Sequence, residues 1–392
     1  MKKTYSVIFF FLYLLTQSLY AQQTTANEYL SIDKKALEIP HSFTQTSQSI
    51  ANYITSNFKS ESEKARAIFI WVASNIRYDT QIKFPTYYYE KREDKIINAL
   101  KNRKGICENY AALFTDICLK SGIKSYVIEG YTKQNGVIGA VPHAWSAAYI
   151  DNAWYAFDLT WASGYVMDAR FYKKIDNSFY KVSPAVIINS HIPFDCIWQF
   201  LQYPITHQEF YEGKTQQNRT KPYFSFKDSI QVFEKQNPTQ QWISSFYRIK
   251  NNGVKNAMIS KRLVYLKSKI ENDRRATVVK LYNSAVLDYN IGIRAFNNFI
   301  KYKNKQFMPQ RHPSEIRKMI DTASDKLEGA KIKLERMPSM DVEDAEMVEQ
   351  LSSSIDDVVD QVEEQHEWLT DYFNQRNTYR SAATVNEKLN KF

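Results

Sequence analysis

The chain has 392 residues, enough for two domains of ordinary size, with 24% charged and 44% hydrophobic residues and a formal charge of +10. Only 10 glycines argue against a phosphate-cradling architecture, and no zinc finger or Gly-rich RNA-binding motif accompanies the basic balance, so nucleic acid is not an expected partner. Aromatics reach 15%, with 27 Tyr and 23 Phe, and the cysteines are only Cys107, Cys118 and Cys196, an odd number that leaves at least one thiol free or intermolecular.

At the N-terminus, Lys2 and Lys3 precede an apolar run over 7–15, and Leu19-Tyr20-Ala21 offers a small-residue cleavage site. This is the pattern of a secretory signal. The run is well short of the about 20 residues that span a membrane. Residues 1–21 are therefore read as a signal peptide and the product as exported, to the periplasm or the cell exterior. Cleavage takes Lys2 and Lys3 from the +10 and leaves +8, which suits an anionic envelope surface or an acidic polymer.

The spacing over 63–76 predicts an amphipathic helix with Ala67, Ile70, Trp71 and Ser74 on one face and Ile68 and Val72 beside it. Tyr87-Tyr88-Tyr89 either packs on its own loop or forms a substrate-binding lip, and a short helix follows around 96–100. After Lys104-Gly105-Ile106, the residues Cys107, Tyr110, Ala111, Phe114, Ile117 and Cys118 recur at threes and fours, one buried helix face. Gly122-Ile123 closes that helix, with the glycine free to turn left-handed and Ile123 packing back.

Strand signals cover 126–131, 143–150 and 153–160. Asp151-Asn152, a pair tolerant of positive φ, suits a two-residue hairpin between the last two. The stretch 172–210, with Pro184, Pro193 and Pro204, reads as irregular. From 237 onward three heptad-like apolar runs, over 278–300, 316–334 and 348–373, are separated by short Pro-containing breaks. These predict helices packed as antiparallel neighbours in a bundle. The expected architecture is α+β with an antiparallel sheet over 22–236, its core about 60–210, followed by an all-α region over 237–392 that serves self-association or partner docking.

The chemistry centres on Cys107. A thiolate is the nucleophile, and a helix N-terminus lowers a thiol's pKa with its unpaired N–H groups and dipole. Gly105 leaves room for close approach. A nucleophile of this kind needs a base, and His143 opens a strand just before a hairpin whose return arm carries Asp158. With Asp151-Asn152 as the loop, Ile150 pairs with Ala153, Trp145 with Asp158 and His143 with Thr160, so His143, Trp145 and Asp158 share one face. His143 and Asp158 become diagonal neighbours, roughly 7 to 8 Å apart at the backbone. Asp158 would then hold the imidazole's tautomer while the other ring nitrogen faces Cys107. Trp145 or Trp161 would shield the pair from water. Glu108 and Asn109 either touch substrate or are solvated helix-start residues.

Several segments together resemble the transglutaminase-like superfamily, most closely its bacterial members and the kyphoscoliosis peptidase group. They are Lys64-Ala65-Arg66-Ala67-Ile68-Phe69-Ile70-Trp71 through Arg77-Tyr78-Asp79; Gly105-Ile106-Cys107-Glu108-Asn109-Tyr110-Ala111; His143-Ala144-Trp145; and Trp154-Tyr155-Ala156-Phe157-Asp158-Leu159-Thr160-Trp161. Similarity continues more weakly from His191-Ile192-Pro193-Phe194-Asp195 to Trp198-Gln199. The resemblance implies a papain-like core in which Cys107 is nucleophile, His143 general base and acid, and Asp158 the orienting carboxylate. The reaction would be acyl transfer at an amide or peptide bond of a protein or peptide, a cell-envelope peptide among the candidates. The Cys107 N–H is a natural oxyanion donor; the second donor is unassigned, with Trp71 conceivable. No loop of alternating acids lies near these residues to hold calcium, which favours hydrolysis over cross-linking.

Cys118, on the buried helix face, reads as an inert core thiol, and Cys196 is its candidate disulfide partner after export. His191 and Asp195 sit in a Pro-containing loop four residues apart and off a helix. They either line the cleft or serve a structural role in that loop, and they do not read as a metal site. The acidic run 341–349 reads as a helix start. No metal or cofactor is expected.

Overall fold

The structure is a computed structural model that describes residues 29–82, 91–340 and 342–389. The proposed signal segment 1–21 and Tyr87-Tyr88-Tyr89 lie outside the described residues. The chain forms two compact units, residues 1–267 and 268–392, dividing beyond the composition change at 237.

In the first unit a central helix, Glu61–Asn75, starts in a capping box made by Ser60 and Glu63. It was expected to be amphipathic, but every residue from Ala65 to Ala73 is buried. The reason is that it packs against the helices Leu30–Leu37, Ser47–Asn57, Cys107–Lys120 and Leu159–Ser163, so it has no solvent face in its middle. Its one buried charge, Arg66, is neutralised by two hydrogen bonds to Asp33 at 2.6 and 2.7 Å and one to Asn177 at 2.8 Å. The guanidinium also lies over the rings of Tyr29 and Tyr180, at 4.6 and 4.8 Å from their centroids.

The chain then makes β1 (Arg77–Tyr78), the helix Arg92–Asn102 and β2 (Lys104–Gly105), which pairs in parallel with β1. The predicted helix follows as Cys107–Lys120. It ends where Gly122 takes φ +84° and the Ile123 N–H bonds back to the Cys118 carbonyl at 2.8 Å.

The sheet comprises β3 (Ser125–Gln134), β4 (Val137–Ile138), β5 (His143–Ile150), β6 (Ala153–Phe157) and, later in the chain, β9 (His191–Pro193). Its order is β4-β3-β5-β6, with β9 also on β3, and all pairings are antiparallel. On β5 the small residues Ala144, Ser146 and Ala148 face the Cys107–Lys120 helix, and the Ser146 hydroxyl donates to the Ala111 carbonyl at 3.1 Å. Small side chains let helix and strand approach closely.

The hairpin between β5 and β6 turns through Asp151 and Asn152, at φ +50° and +65°, and keeps the predicted register from Ile150–Ala153 to Ser146–Phe157. It stops there. The expected strand to 160 ends at Phe157, because Asp158 caps the helix Leu159–Ser163 by accepting from the N–H groups of Thr160 and Trp161 at 2.9 and 3.1 Å. Thr160 is therefore helical and does not face His143, whose partner on β3 is Gly130.

The stretch expected to be irregular begins inside a hairpin, β7 (Gly164–Met167) and β8 (Arg170–Lys173), turning through Asp168 and Ala169 at φ +50° and +57°.

In the second unit, the remainder of the helix Ala257–Asn304 packs with Pro313–Glu335 and Val342–Leu389 around Phe299, Ile320, Leu327, Ala330 and Ile355. Lys333 bonds Asp288, Lys331 bonds Asp356 and His366 bonds Asp321, pairings that run antiparallel between successive helices. His366, on the predicted apolar stripe, is exposed and turned toward Asp321. Among the described residues no helix is long and apolar enough to cross a membrane.

Candidate active site

Cys107 is the first residue of its helix, and its side chain is buried. The helix start is fixed by Asn109, whose Oδ1 accepts the Ile106 N–H at 2.9 Å and whose Nδ2 donates to the Lys95 carbonyl at 3.0 Å. Gly105 allows this, since a Cβ there would lie 2.6 Å from the Asn109 Cβ. The pairing of β1 with β2 brings Tyr78 level with Gly105. Burial, with the charges of Cys107 and Asp79, pushes the Tyr78 phenol up to about 12.

His143 opens β5, and its Nε2 lies 2.7 Å from Asp158 Oδ2. Its remaining nitrogen, Nδ1, is the one left to meet the Cys107 thiol, which lines the same cleft. Burial opposes a charged imidazole, but Asp158 and Cys107 outweigh it and raise His143 to about 10. Asp158 has no solvent exposure. Burial opposes its charge too, yet its histidine partners hold it far below the ordinary carboxylate range.

A second histidine enters this group. His191, on β9, is fully buried and places its Nε2 3.0 Å from the same Asp158 Oδ2. Trp145 stacks on His143 at 6.2 Å and meets His191 edge-on at 5.1 Å, and Trp161 lies 5.7 and 4.6 Å from the two rings.

His143, Asp158 and His191 offer three possible metal ligands within 4.8 Å of one another. Their spacing fits hydrogen bonds instead. Two ligands of one tetrahedral zinc stand about 3.3 Å apart at ordinary bond lengths, whereas both imidazole nitrogens approach Asp158 Oδ2 to 3.0 Å or less.

Cys107 and His143 open into a cleft of about 850 Å³. Trp161 lines it, with Tyr78, Val141, Tyr165, Val166 and Phe171. The other residues singled out for the cleft lie elsewhere. Trp145 is buried behind His143. Gly105 and Asn109 line a separate depression with Asp79 and Lys104, and Glu108 is held in an ion pair with Lys95. Asp195 is bound by Arg248 at 2.7 Å. Cys107, Cys118 and Cys196 are all free thiols, and burial raises both Cys118 and Cys196.

Sequence reasoning left His191 between a cleft-lining and a structural role and missed its contact with Asp158, and it passed over Tyr78 and the β7–β8 hairpin as parts of the site. The alternation of Tyr165-Val166-Met167 and Phe171-Tyr172 around a two-residue turn was a legible hairpin signal. For His191 the only signal was the weaker similarity that begins there, and its meeting with Asp158 depends on β9 joining β3.

Fold and site together define an α+β domain in which a helix start presents a cysteine to a histidine–carboxylate pair on an antiparallel sheet. Residues 48–159 match the model of the transglutaminase-like superfamily. The chain is 30% identical over 159 residues to the kyphoscoliosis peptidase of Mus musculus and 30% identical over 156 residues to that of Homo sapiens. Each match takes in 38% of this chain, but it spans only 24% and 23% of those relatives. Among solved structures, the periplasmic domain of TgpA from Pseudomonas aeruginosa is similar at 18% identity over 33% of this chain and 47% of that one, with a TM-score of 0.26.

Proposed function

We propose that the protein is an exported cysteine enzyme that cleaves amide or peptide bonds in a polypeptide substrate by acyl transfer. The observation that carries this reading is that His143, bonded to Asp158, lines one open cleft together with Cys107. Cys107 Sγ attacks the carbonyl carbon, and the oxyanion that forms is met by the Cys107 N–H at the helix start. The C–N bond breaks, the His143 imidazolium gives its proton to the departing amine, and a thioester remains. His143, now neutral, takes a proton from water, which attacks the thioester; the acid leaves and the thiolate returns.

The cleft wall formed by Tyr78, Val141, Tyr165, Val166 and Phe171 suits a substrate with bulky apolar side chains beside the scissile bond. Export rests on the N-terminal sequence pattern, and docking or self-association is the role proposed for the C-terminal helices.

Two measurements test the reading. Alkylation of Cys107 by iodoacetamide should proceed well below the pH near 8.5 at which a free cysteine titrates, and His143→Ala should abolish that advantage. With a labelled amine present, hydrolysis releases free amine or peptide from the substrate. Label retained on protein would instead establish cross-linking.

A further inference from the structure

We propose that His191 is a positioning residue for Asp158, a fourth member of the catalytic group that acts through the carboxylate and never touches substrate. The proposal rests on the cysteine-enzyme reading above. His191 lies outside the residues that match the superfamily model, 48–159.

Asp158 is an acceptor with two oxygens and no exposure to water, so its charge must be met by protein donors. Oδ1 takes the N–H groups of Thr160 and Trp161, and Oδ2 takes His143 and His191. His191 is itself anchored, with Nδ1 2.8 Å from the Ser190 hydroxyl. The Ser190 hydroxyl has one proton and two acceptors in reach, His191 Nδ1 at 2.8 Å and the Ile187 carbonyl at 3.4 Å; given to the nearer, it leaves the neutral tautomer whose Nε2–H donates to Asp158.

Trp145, Trp161 and Phe179 surround the His191 ring, and burial lowers its proton affinity. A neutral donor is what the site requires, because a second imidazolium would compete with His143 for the one negative charge. The other titratable groups near Asp158 are His143, with Cys107 beyond it, and the phenol of Tyr110, which donates to the Ile76 carbonyl at 2.9 Å. None of these can replace the donor that His191 supplies to Oδ2.

The experiment has two arms on the full chain. In the first, histidines carry ¹⁵N and the His191 ring is assigned by comparison with His191→Gln. The expected spectrum is a neutral ring with the proton on Nε2, unchanged from pH 5 to 8; a proton on Nδ1, or a charged ring across that range, overturns the proposal. In the second, Cys107 alkylation is followed against pH, with the modified peptide located by mass spectrometry. His191→Leu should move the acid limb of the profile upward by about one pH unit, the effect of removing one hydrogen bond from a buried charge. His191→Gln, which keeps an N–H near the same place, should leave the limb within a few tenths of a unit.

If both variants match wild type, or both lose reactivity equally with no shift of the limb, His191 only packs and the proposal fails. If Cys107 titrates as an ordinary thiol in wild type as well, the cysteine-enzyme reading has failed instead and takes this proposal with it.

Discussion

Gly105 and Asn109 share one space: a side chain on the first would stand 2.6 Å from the Cβ and 2.8 Å from the Oδ1 of the second. Asn109 cannot keep its bonds to Ile106 and Lys95 with even a methyl group there. Gly105→Ala should therefore cost about 1 to 3 kcal/mol through the lost cap and the crowding. It should also slow Cys107 alkylation, because the cap sets the first turn of that helix. Thermal unfolding and the alkylation rate check the two effects separately; an unchanged rate in a destabilised variant would show that the cap does not govern the thiol.

Asp158→Asn keeps an oxygen for the helix cap but removes the charge between the two histidines. His143 should fall from about 10 toward an ordinary imidazole value. Turnover of a peptide substrate should drop on the order of 10⁴-fold, as expected when a triad carboxylate is neutralised. The comparison to make is kcat beside the ¹⁵N titration of His143, and near-normal turnover would remove Asp158 from the mechanism.

Stability should depend on pH in a definite direction. His143 is raised in the fold to about 10 from roughly 6.5 in the unfolded chain, so its contribution is complete below pH 6.5 and is lost as pH rises through 10. Asp158 is shifted down, so its contribution is present above about pH 3.9 and is lost as pH falls below that. Urea midpoints should fall between pH 6.5 and 10 in the wild type and fall less in His143→Gln. Parallel curves for the two proteins would mean that His143 is not charged at neutral pH.

Val166 and Tyr165 stand 49% exposed on the β7–β8 hairpin at the cleft. For an apolar peptide substrate, Val166→Glu should raise KM about tenfold, the value of one buried valine contact, with kcat unchanged. Cys107 alkylation should not move. A fall in kcat at constant KM would place the hairpin's effect on the chemistry rather than on substrate docking.

The parts of this site that the sequence made legible are the locally determined ones. The helix from Cys107 follows from its own apolar spacing and from Gly122, and the β5–β6 register follows from two adjacent residues that accept positive φ. Along the helix Pro313–Glu335 the apolar stripe Ile316, Ile320, Ala323, Leu327, Ala330 and Leu334 is buried throughout. Reasoning from hairpin pairing placed His143 beside Asp158 but extended the strand three residues too far, because strand propensity does not register a side chain that caps the next helix. The full burial of Glu61–Asn75 and the arrival of His191 both depend on which distant segments pack there, and neither periodicity nor spacing carries that.

The double duty of Asp158 bears on how such a protein would decay. Cys107 gives the fold only a small buried side chain, and serine or alanine could stand in its place with every backbone bond intact. Asp158 ends a strand, starts a helix and joins two histidines, so its loss disturbs the domain as well as the chemistry. A lineage released from selection for turnover should shed the thiol early and keep the carboxylate long afterwards. In such descendants the surviving aspartate would be a relic of architecture, and the residue at the cysteine position alone would tell the living enzyme from its fossil.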